Sequence, residues 1–240
     1  MCPGGPEGLQ LICISLDGGA SIGDLMGFRI EDYETLRPYV YHTCPRGNAQ
    51  RILTLRRMEP TSLLLELAGR IDLLRTRRGE DLELLIDGTP VSIRDQMPLN
   101  PANIDFEAGW ELADLVEYVN RRIFFWPGGP RGPIDYGSNH FNRYAEEQPV
   151  VLRMRLRSLL AANPGRQPQF SKYNSGAARQ NQGKRIPRGS KTFIDAGRFP
   201  GAPGDVKEVA FASAVVLPSD TERASGLTGP WRRAFEQAAV

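Results

Sequence analysis

The chain has 240 residues, with 30 lysines and arginines against 28 aspartates and glutamates, so its formal net charge is only +2. Hydrophobic residues make up 40% and charged residues 24%, a composition typical of a globular protein that buries a substantial core. The sequence contains no run of about eighteen apolar residues and no basic N-terminal segment, so we expect neither a membrane span nor a signal peptide.

Cysteine and histidine are both scarce. Three cysteines (Cys2, Cys13 and Cys44) do not make a disulfide framework, which favours a reducing cytoplasm. The two histidines, His42 and His140, are too few for a histidine-rich metal centre, and no second ligand pair accompanies His42 and Cys44. We therefore expect a cytoplasmic protein without a metal ion.

The first hundred residues predict both helices and strands. In chain order these are a strand over 11–16, a helix over 24–36, a strand over 39–43, a helix over 48–57, a helix starting at 60–62, and strands over 82–86 and 91–93. Asn48 is a suitable helix N-cap, because its short side chain can accept a hydrogen bond from a free helical N–H group. Asp87-Gly88 predicts a hairpin turn between the last two strands.

The remaining sequence continues this mixed pattern. Its predicted elements are a helix over 105–120, a strand over 123–126, a loop over 127–133, a surface loop over 137–141, a strand over 150–156, a helix over 158–162, a polar loop over 164–191, a strand over 206–217 and a helix over 230–238. Strands and helices do not alternate regularly. We therefore predict an α+β fold with a mixed, mostly antiparallel sheet, as one domain over 1–240 with an N-terminal extension over 1–37.

Basic residues are concentrated in one part of this nearly neutral chain. Between Arg166 and Arg198 stand eight lysines and arginines, and Asp195 is the only acid among them. Within the loop over 164–191, five residues are candidates for binding a substrate: Lys172, Tyr173, Asn174, Ser175 and Arg179. Cations interleaved with aromatic rings suit nucleic acid, since cations neutralise phosphates and rings stack on bases. A solvated surface loop is the alternative.

Two short segments far apart in the sequence resemble the opening and closing strands of the NAD-cleaving ADP-ribosyltransferases. The first is Tyr41-His42-Thr43, followed by Asn48, and the second is Lys207-Glu208-Val209-Ala210-Phe211. In pieces, the resemblance extends from about residue 39 to residue 218. It is closest to an uncharacterised bacterial branch related to the DarT-like DNA ADP-ribosyltransferases, and it implies an ADP-ribosyltransferase-like split sheet flanked by helices.

The resemblance implies a catalytic role for Glu208, whose carboxylate would stabilise an oxocarbenium ion formed from the ribose of NAD. It implies that His42, Thr43 and Asn48 hold NAD, and that His42 belongs with Glu208 to the catalytic residues. For these residues we also consider simpler roles: a solvated glutamate at a strand end, a buried histidine bonded to a backbone carbonyl, and a helix N-cap.

The remaining contacts with NAD are assigned by the same resemblance. The segment over 94–99 is similar to the part of DarT-like proteins that crosses the NAD pocket, so Arg94 would pair with the pyrophosphate. Three other arginines compete for that role: Arg56, Arg77 and Arg78. The central strand of the family supplies an aromatic that stacks on nicotinamide. Phe124, Phe125 and Trp126 stand there; Phe125 is our assignment, and packing in the core is the alternative.

The resemblance thus implies an enzyme that consumes NAD as a co-substrate and transfers ADP-ribose, with a nucleic-acid base as the favoured acceptor. Transfer to a protein or a small molecule remains open. So do an RNA 2′-phosphotransferase on the same fold and a non-enzymatic nucleic-acid-binding module. A toxin, a defence factor and a biosynthetic enzyme are all compatible with these residues.

Overall fold

The computed structural model describes residues 27–179 and 182–235. Its α-helices are α1 (Ile30–Leu36), α2 (Arg46–Leu55), α3 (Thr61–Leu67), α4 (Leu112–Asn120), α5 (Asp135–Arg143) and α6 (Leu156–Ala162). Its strands are β1 (Tyr39–Cys44), β2 (Arg57–Met58), β3 (Leu82–Ile86), β4 (Thr89–Ile93), β5 (Ile104–Phe106), β6 (Ile123–Gly129), β7 (Gly132–Pro133), β8 (Val150–Arg155), β9 (Gln169–Ser171), β10 (Ile186–Arg188), β11 (Ile194–Asp195), β12 (Glu208–Phe211), β13 (Val215–Val216), β14 (Glu222–Ala224) and β15 (Arg232–Arg233).

One large sheet organises the molecule, in the strand order β11-β9-β12-β6-β1-β8-β14-β15, with β7 paired to β6. Every pairing within it is antiparallel. The pairs β3–β4 and β2–β13 are also antiparallel, whereas β5 and β10 pair in parallel. The predicted α+β class with a mixed, mostly antiparallel sheet is therefore confirmed.

The central strands are rich in apolar residues, and these side chains form much of the main core. This core includes Val40 of β1, Phe125 of β6, Leu152 of β8 and Val209 of β12, each at most 1% exposed. Burial of a side chain of this size stabilises the fold by roughly 1.5–3 kcal/mol. The four strands therefore form a rigid platform for residues at their ends.

Strand β6 changes its partner halfway along its length. Residues 126–128 pair with residues 39–41 of β1, whereas residues 123–125 pair with residues 209–211 of β12. Strand β1 continues to Cys44 along β8 alone. The edge of β6 that faces β1 is consequently left without a strand partner over 123–125, and the sheet opens at this point.

Several predicted elements agree with the structure. Strand β1 includes the predicted 39–43, α3 begins directly after Pro60, and β3 and β4 form the predicted hairpin. At its turn, Asp87 and Gly88 have φ angles of 50° and 74°, as a two-residue turn of this kind requires. The predicted strand over 11–16 and the start of the helix over 24–36 lie outside the described residues.

Three predictions about where helices lie and where they begin are wrong. The helix over 105–120 begins only at Leu112, because Gly109 has a φ of 82° and the Asp114 carboxylate accepts the Glu111 N–H at 2.9 Å. Asn48 is not an N-cap, since α2 starts at Arg46 after Pro45. The surface loop over 137–141 is part of α5.

The remaining corrections concern strands. The polar loop over 164–191 contains β9, which joins the large sheet, and β10, which pairs with β5. The predicted strand over 206–217 is interrupted between β12 and β13. Residues 230–235 do not form a helix, because β15 pairs there with β14; residues 236–238 lie outside the described part of the chain.

Candidate functional site

A cleft of about 350 Å³ lies where the large sheet opens. It is bordered by parts of β1, α2, β4, β6, α5 and β12 and by the segment over 174–177. Of the eleven residues assigned from the sequence to catalysis, NAD binding or substrate binding, seven border this cleft: His42, Thr43, Asn48, Arg94, Asn174, Ser175 and Glu208. Phe125, Lys172, Tyr173 and Arg179 do not border it.

Glu208 is the most unusual group in the cleft. It is the first residue of β12 and only 3% exposed, so the structure excludes a solvated strand-end glutamate. Burial raises the pKa of its carboxyl to about 7, although the hydrogen bonds with Ser175 and the charge of Arg188 counteract this. The Ser175 N–H donates to Oε2 at 3.1 Å. A carboxyl with this pKa exchanges its proton near neutral pH.

The segment that holds Glu208 is fixed by backbone hydrogen bonds. The Lys207 N–H donates to the Ser171 carbonyl at 2.7 Å, which extends the pairing of β12 with β9. Farther along, the Ala178 N–H donates to the Pro98 carbonyl, and the Asn103 amide donates to the Ala178 carbonyl at 2.8 Å. The turn between these anchors places the Ser175 N–H against the carboxylate.

Arg188 lies behind this turn and is only 2% exposed. Its guanidinium donates to the carbonyls of Pro187 at 3.0 Å and Asn174 at 3.2 Å, and it stacks 4.3 Å from the centre of the Tyr173 ring. Its Nε is buried and has no hydrogen-bond partner among residues 27–179 and 182–235. Burial lowers the pKa of Arg188, while the charge of Glu208 opposes this shift.

His42 bridges the opening between β1 and β6. Its Nδ1 lies 3.0 Å from the Phe124 carbonyl on the unpaired edge of β6, and a carbonyl only accepts, so Nδ1 carries the proton. Burial lowers the pKa of His42, which favours the neutral ring and leaves Nε2 as an acceptor. The histidine is thus bonded to a backbone carbonyl and also borders the cleft, and these two roles are compatible.

The arginine predicted to meet a pyrophosphate is already paired. Arg94 forms ion pairs with Asp81 at 2.7 Å and with Glu147, and it stacks 4.1 Å from the Tyr144 ring centre. Arg78 also borders the cleft, but it donates to neutral groups, the Arg94 carbonyl at 3.0 Å and the Asn120 amide oxygen at 3.1 Å. Burial lowers its pKa to about 10, so Arg78 remains charged at neutral pH.

The other two competing arginines do not border the cleft. Arg56 stacks 4.7 Å from the centre of the Phe235 ring. Arg77 donates to the carbonyls of Gln96 at 3.1 Å and Met97 at 2.7 Å. Arg78 is therefore the best-placed of the three to meet an anion in the cleft.

Asn48 has a structural role that its sequence position did not indicate. Its amide donates to the Ser92 carbonyl at 2.6 Å and accepts the Ser92 N–H at 2.9 Å, as a neighbouring strand would. These two bonds join α2 to β4. Asn48 thus helps to form the wall of the cleft.

The aromatic assigned to the ligand is corrected. Phe125 is 1% exposed and packs in the main core, where its ring meets Phe211 edge-on. Side chains alternate along a strand, so its neighbours Phe124 and Trp126 face the other way and border the cleft. Stacking on a ligand there falls to these two rings.

His140 is a cleft residue that the sequence analysis left without a role. It lies on α5, with its ring centre 5.5 Å from that of Trp126 and 5.1 Å from that of Tyr144. Burial, with help from nearby positive groups, lowers its pKa to about 4, so the ring is neutral. Helix α5 approaches β6 closely because Gly137 has no side chain; a Cβ there would lie 2.7 Å from Trp126. The glycine and two asparagines in this helix concealed it from propensity arguments.

The predicted substrate-binding residues of the basic segment lie in different places. Asn174 and Ser175 border the cleft, whereas Lys172 and Tyr173 border a second cavity. Arg179 is exposed and borders neither. The predicted substrate-binding residues are therefore not assembled at one place.

The described residues contain no group of three or more His, Cys, Asp or Glu side chains arranged to hold a metal ion. None of the helices in the same residues is long and apolar enough to cross a membrane. Cys44 is a free, buried thiol, and Cys2 and Cys13 lie outside the described part of the chain.

A family model described as a family of unknown function, DUF7002, matches residues 38–221. The matched range includes both His42 and Glu208 and all the strands from β1 to β13. Among curated proteins and solved structures, nothing matches the chain. The chain belongs to the DUF7002 family.

Proposed function

We propose that this protein is an NAD-dependent mono-ADP-ribosyltransferase that cleaves the bond between nicotinamide and ribose. The observation that supports this proposal best is the position of Glu208. This buried carboxyl, with a pKa near 7, borders the same cleft as His42 and Thr43, although 166 residues of chain separate it from His42. The strands that carry these residues resemble the opening and closing strands of the ADP-ribosyltransferases.

In the proposed reaction, the bond between ribose C1′ and the nicotinamide nitrogen breaks, and its electron pair leaves with neutral nicotinamide. The ribose becomes an oxocarbenium ion, which the Glu208 carboxylate stabilises by its charge. The acceptor atom then forms a bond with C1′ and releases its proton to water. The Ser175 N–H holds Oε2 in place during these steps.

The other cleft residues supply contacts for NAD. The free Nε2 of His42 and the hydroxyl of Thr43 are suited to a ribose, because they offer an acceptor and a donor. Arg78 meets the pyrophosphate, since its charge is not paired with a carboxylate in the described residues. Phe124 or Trp126 stacks on the nicotinamide ring.

A nucleic-acid base is our proposed acceptor, and the cytoplasm our proposed location. The basic segment between Arg166 and Arg198 adjoins Glu208 through Asn174 and Ser175. The basic side chains of this segment do not border the cleft, so in this proposal they bind the phosphates of the nucleic acid outside it while a base enters the cleft.

The direct test is incubation with NAD and a panel of single-stranded DNA, RNA, protein and small-molecule acceptors. Released nicotinamide reports cleavage, and mass spectrometry of each acceptor reports an added ADP-ribose. If the folded protein releases no nicotinamide with any acceptor or with water, the proposal is wrong.

The pH dependence of NAD cleavage provides an independent prediction. Because the reaction needs the ionised form of Glu208, kcat/KM should rise with pH and level off above about 7, the pKa of this carboxyl in the free protein. The measurement is kcat/KM for NAD between about pH 5 and 9. A rate that is flat across this range contradicts the role of Glu208.

Arg78→Gln is expected to raise KM for NAD by roughly 10–100-fold, because a charged hydrogen bond to phosphate contributes about 1.5–3 kcal/mol. Arg77→Gln is the matched control: Arg77 precedes Arg78 but does not border the cleft, and it donates to the backbone carbonyls of Gln96 and Met97. Steady-state kinetics of both variants, with thermal melting to check the fold, make the comparison. Equal KM values in the two folded variants would place the pyrophosphate elsewhere.

A further inference from the structure

The segment from Tyr173 to Ser175 lies between the cleft and a second cavity of about 400 Å³, since Tyr173 borders this cavity and Ser175 borders the cleft. We call the second cavity the aromatic cavity, after the apolar residues that border it: Phe106, Phe170, Tyr173, Ile194, Phe199 and Pro200. Its volume falls in the usual range for small-molecule sites, and its walls suit a flat apolar body.

The charged groups around the aromatic cavity favour an anion. Lys172 and Lys191 border it, are exposed, and form no ion pair within residues 27–179 and 182–235. Two carboxylates also border it, Asp105 and Glu107. The Glu107 carboxylate is held at Ser190, because it accepts the Ser190 N–H at 2.6 Å and the Ser190 hydroxyl at 2.8 Å.

Arg188 adds a third cation to the cavity wall. Its guanidinium is bonded only to backbone carbonyls and stacked on Tyr173, and its Nε lacks a partner in the described part of the chain. A buried donor without a partner destabilises a protein, and a ligand acceptor within reach of this Nε removes that cost. Aromatic walls therefore coincide at one cavity with three cations that form no ion pair within the described residues.

We propose that the aromatic cavity binds a molecule with a flat aromatic ring system and an acidic group, a carboxylate or a phosphate. The ring system lies between Phe106, Tyr173 and Phe199, and the acidic group meets Lys172, Lys191 and Arg188. Both an aromatic carboxylic acid and a nucleotide have this chemistry. The site does not require NAD, so it stands or falls independently of the proposed transferase activity.

Binding of two probes to the whole chain tests the proposal by isothermal titration calorimetry. The probes are 2-naphthoate and adenosine 5′-monophosphate, and their uncharged counterparts are 2-naphthylmethanol and adenosine. We expect at least one anion to bind about 10-fold or more tightly than its counterpart, with an affinity that falls as salt is added. Absence of binding by both anions, or binding of each anion no tighter than that of its uncharged counterpart, overturns the proposal.

Variants locate the bound probe. The double variant Lys172→Ala/Lys191→Ala should weaken binding about 10-fold or more, and Pro200→Trp, at an exposed position on the cavity wall, should block it. Lys184→Ala/Arg185→Ala is the matched control, because these exposed basic residues belong to the same segment but do not border the cavity. Equal loss in the control and the Lys172/Lys191 variant, or no loss in the latter, contradicts the assignment.

The two anions also distinguish the source of the ligand. Adenosine 5′-monophosphate counts as a ligand of this site if the Lys172/Lys191 variant weakens its binding and, where 2-naphthoate also binds, if the nucleotide displaces it. Displacement by this nucleotide supports a nucleotide ligand, and binding of 2-naphthoate without displacement supports an aromatic acid.

Discussion

Glu208→Gln is expected to lower the rate of NAD cleavage on the order of a thousand-fold, the usual effect of removing a group that stabilises charge in a transition state. Glutamine has the same shape and still accepts the Ser175 N–H through its amide oxygen. It cannot carry the negative charge that the oxocarbenium ion requires. The substitution therefore removes the proposed chemistry while leaving the surrounding contacts in place.

The measurement is nicotinamide release by the wild type, Glu208→Gln and a control, Glu83→Gln. Glu83 is an exposed glutamate on β3 that does not border the cleft, so its variant tests for a general effect of removing a carboxylate. We expect kcat to fall in Glu208→Gln alone, with little change in KM. A folded Glu208→Gln variant that cleaves NAD at the wild-type rate would refute the proposed mechanism.

The same substitution is expected to stabilise the protein at high pH. The pKa of Glu208 is about 7 in the folded protein, above its ordinary value of 4.5, so the folded state binds the proton more tightly than the unfolded state. The free energy of unfolding therefore falls as pH rises from about 4.5 to about 7, and the full cost of the buried charge is present above that window. Glutamine carries no charge at any of these values.

We therefore expect the free energy of unfolding of Glu208→Gln to exceed that of the wild type by about 3 kcal/mol at pH 8, since one pKa unit corresponds to about 1.4 kcal/mol. At pH 5 the two proteins should differ much less. Urea unfolding at both pH values measures the difference, and Glu83→Gln should show no such dependence. Equal stability of the wild type and Glu208→Gln at pH 8 would mean that the carboxyl is not destabilised by burial. This experiment needs no substrate, so it separates the state of the carboxyl from the enzymatic proposal.

Local sequence signals were sufficient for elements in which each residue's preference agrees with the final fold. The aromatic and β-branched residues of β1 predict a strand, and Asp87-Gly88 predicts the turn of the β3–β4 hairpin. They were insufficient where side-chain and tertiary contacts compete with periodicity. The apolar spacing of α4 extends back to residue 105. Gly109 and the hydrogen bond from the Glu111 N–H to the Asp114 carboxylate nevertheless make the helix begin only at Leu112.

The basic segment shows the limits of composition as a guide. Its glycines, asparagines and glutamines predict a loop, yet β9 joins the large sheet because Phe170 packs in the main core. Composition gives the number of charges in a segment, but it does not show which cavity each residue borders. Lys172 and Tyr173 therefore lie at one cavity while Asn174 and Ser175 lie at another.

Three features could be predicted from the amino-acid sequence alone: the α+β class, the strands that carry His42 and Glu208, and the resemblance on which the proposed function rests. Three other features depend on the tertiary structure. Both residues border one cleft, and Phe125 is buried while Phe124 lines that cleft. Within the described residues, Arg94 forms ion pairs with carboxylates and Arg78 does not. The physical reason is that strand preference is local, whereas burial, ion pairing and pKa depend on groups far away in the chain. The change of partners along β6 brings these groups together, and it depends on long-range pairing that no single segment encodes.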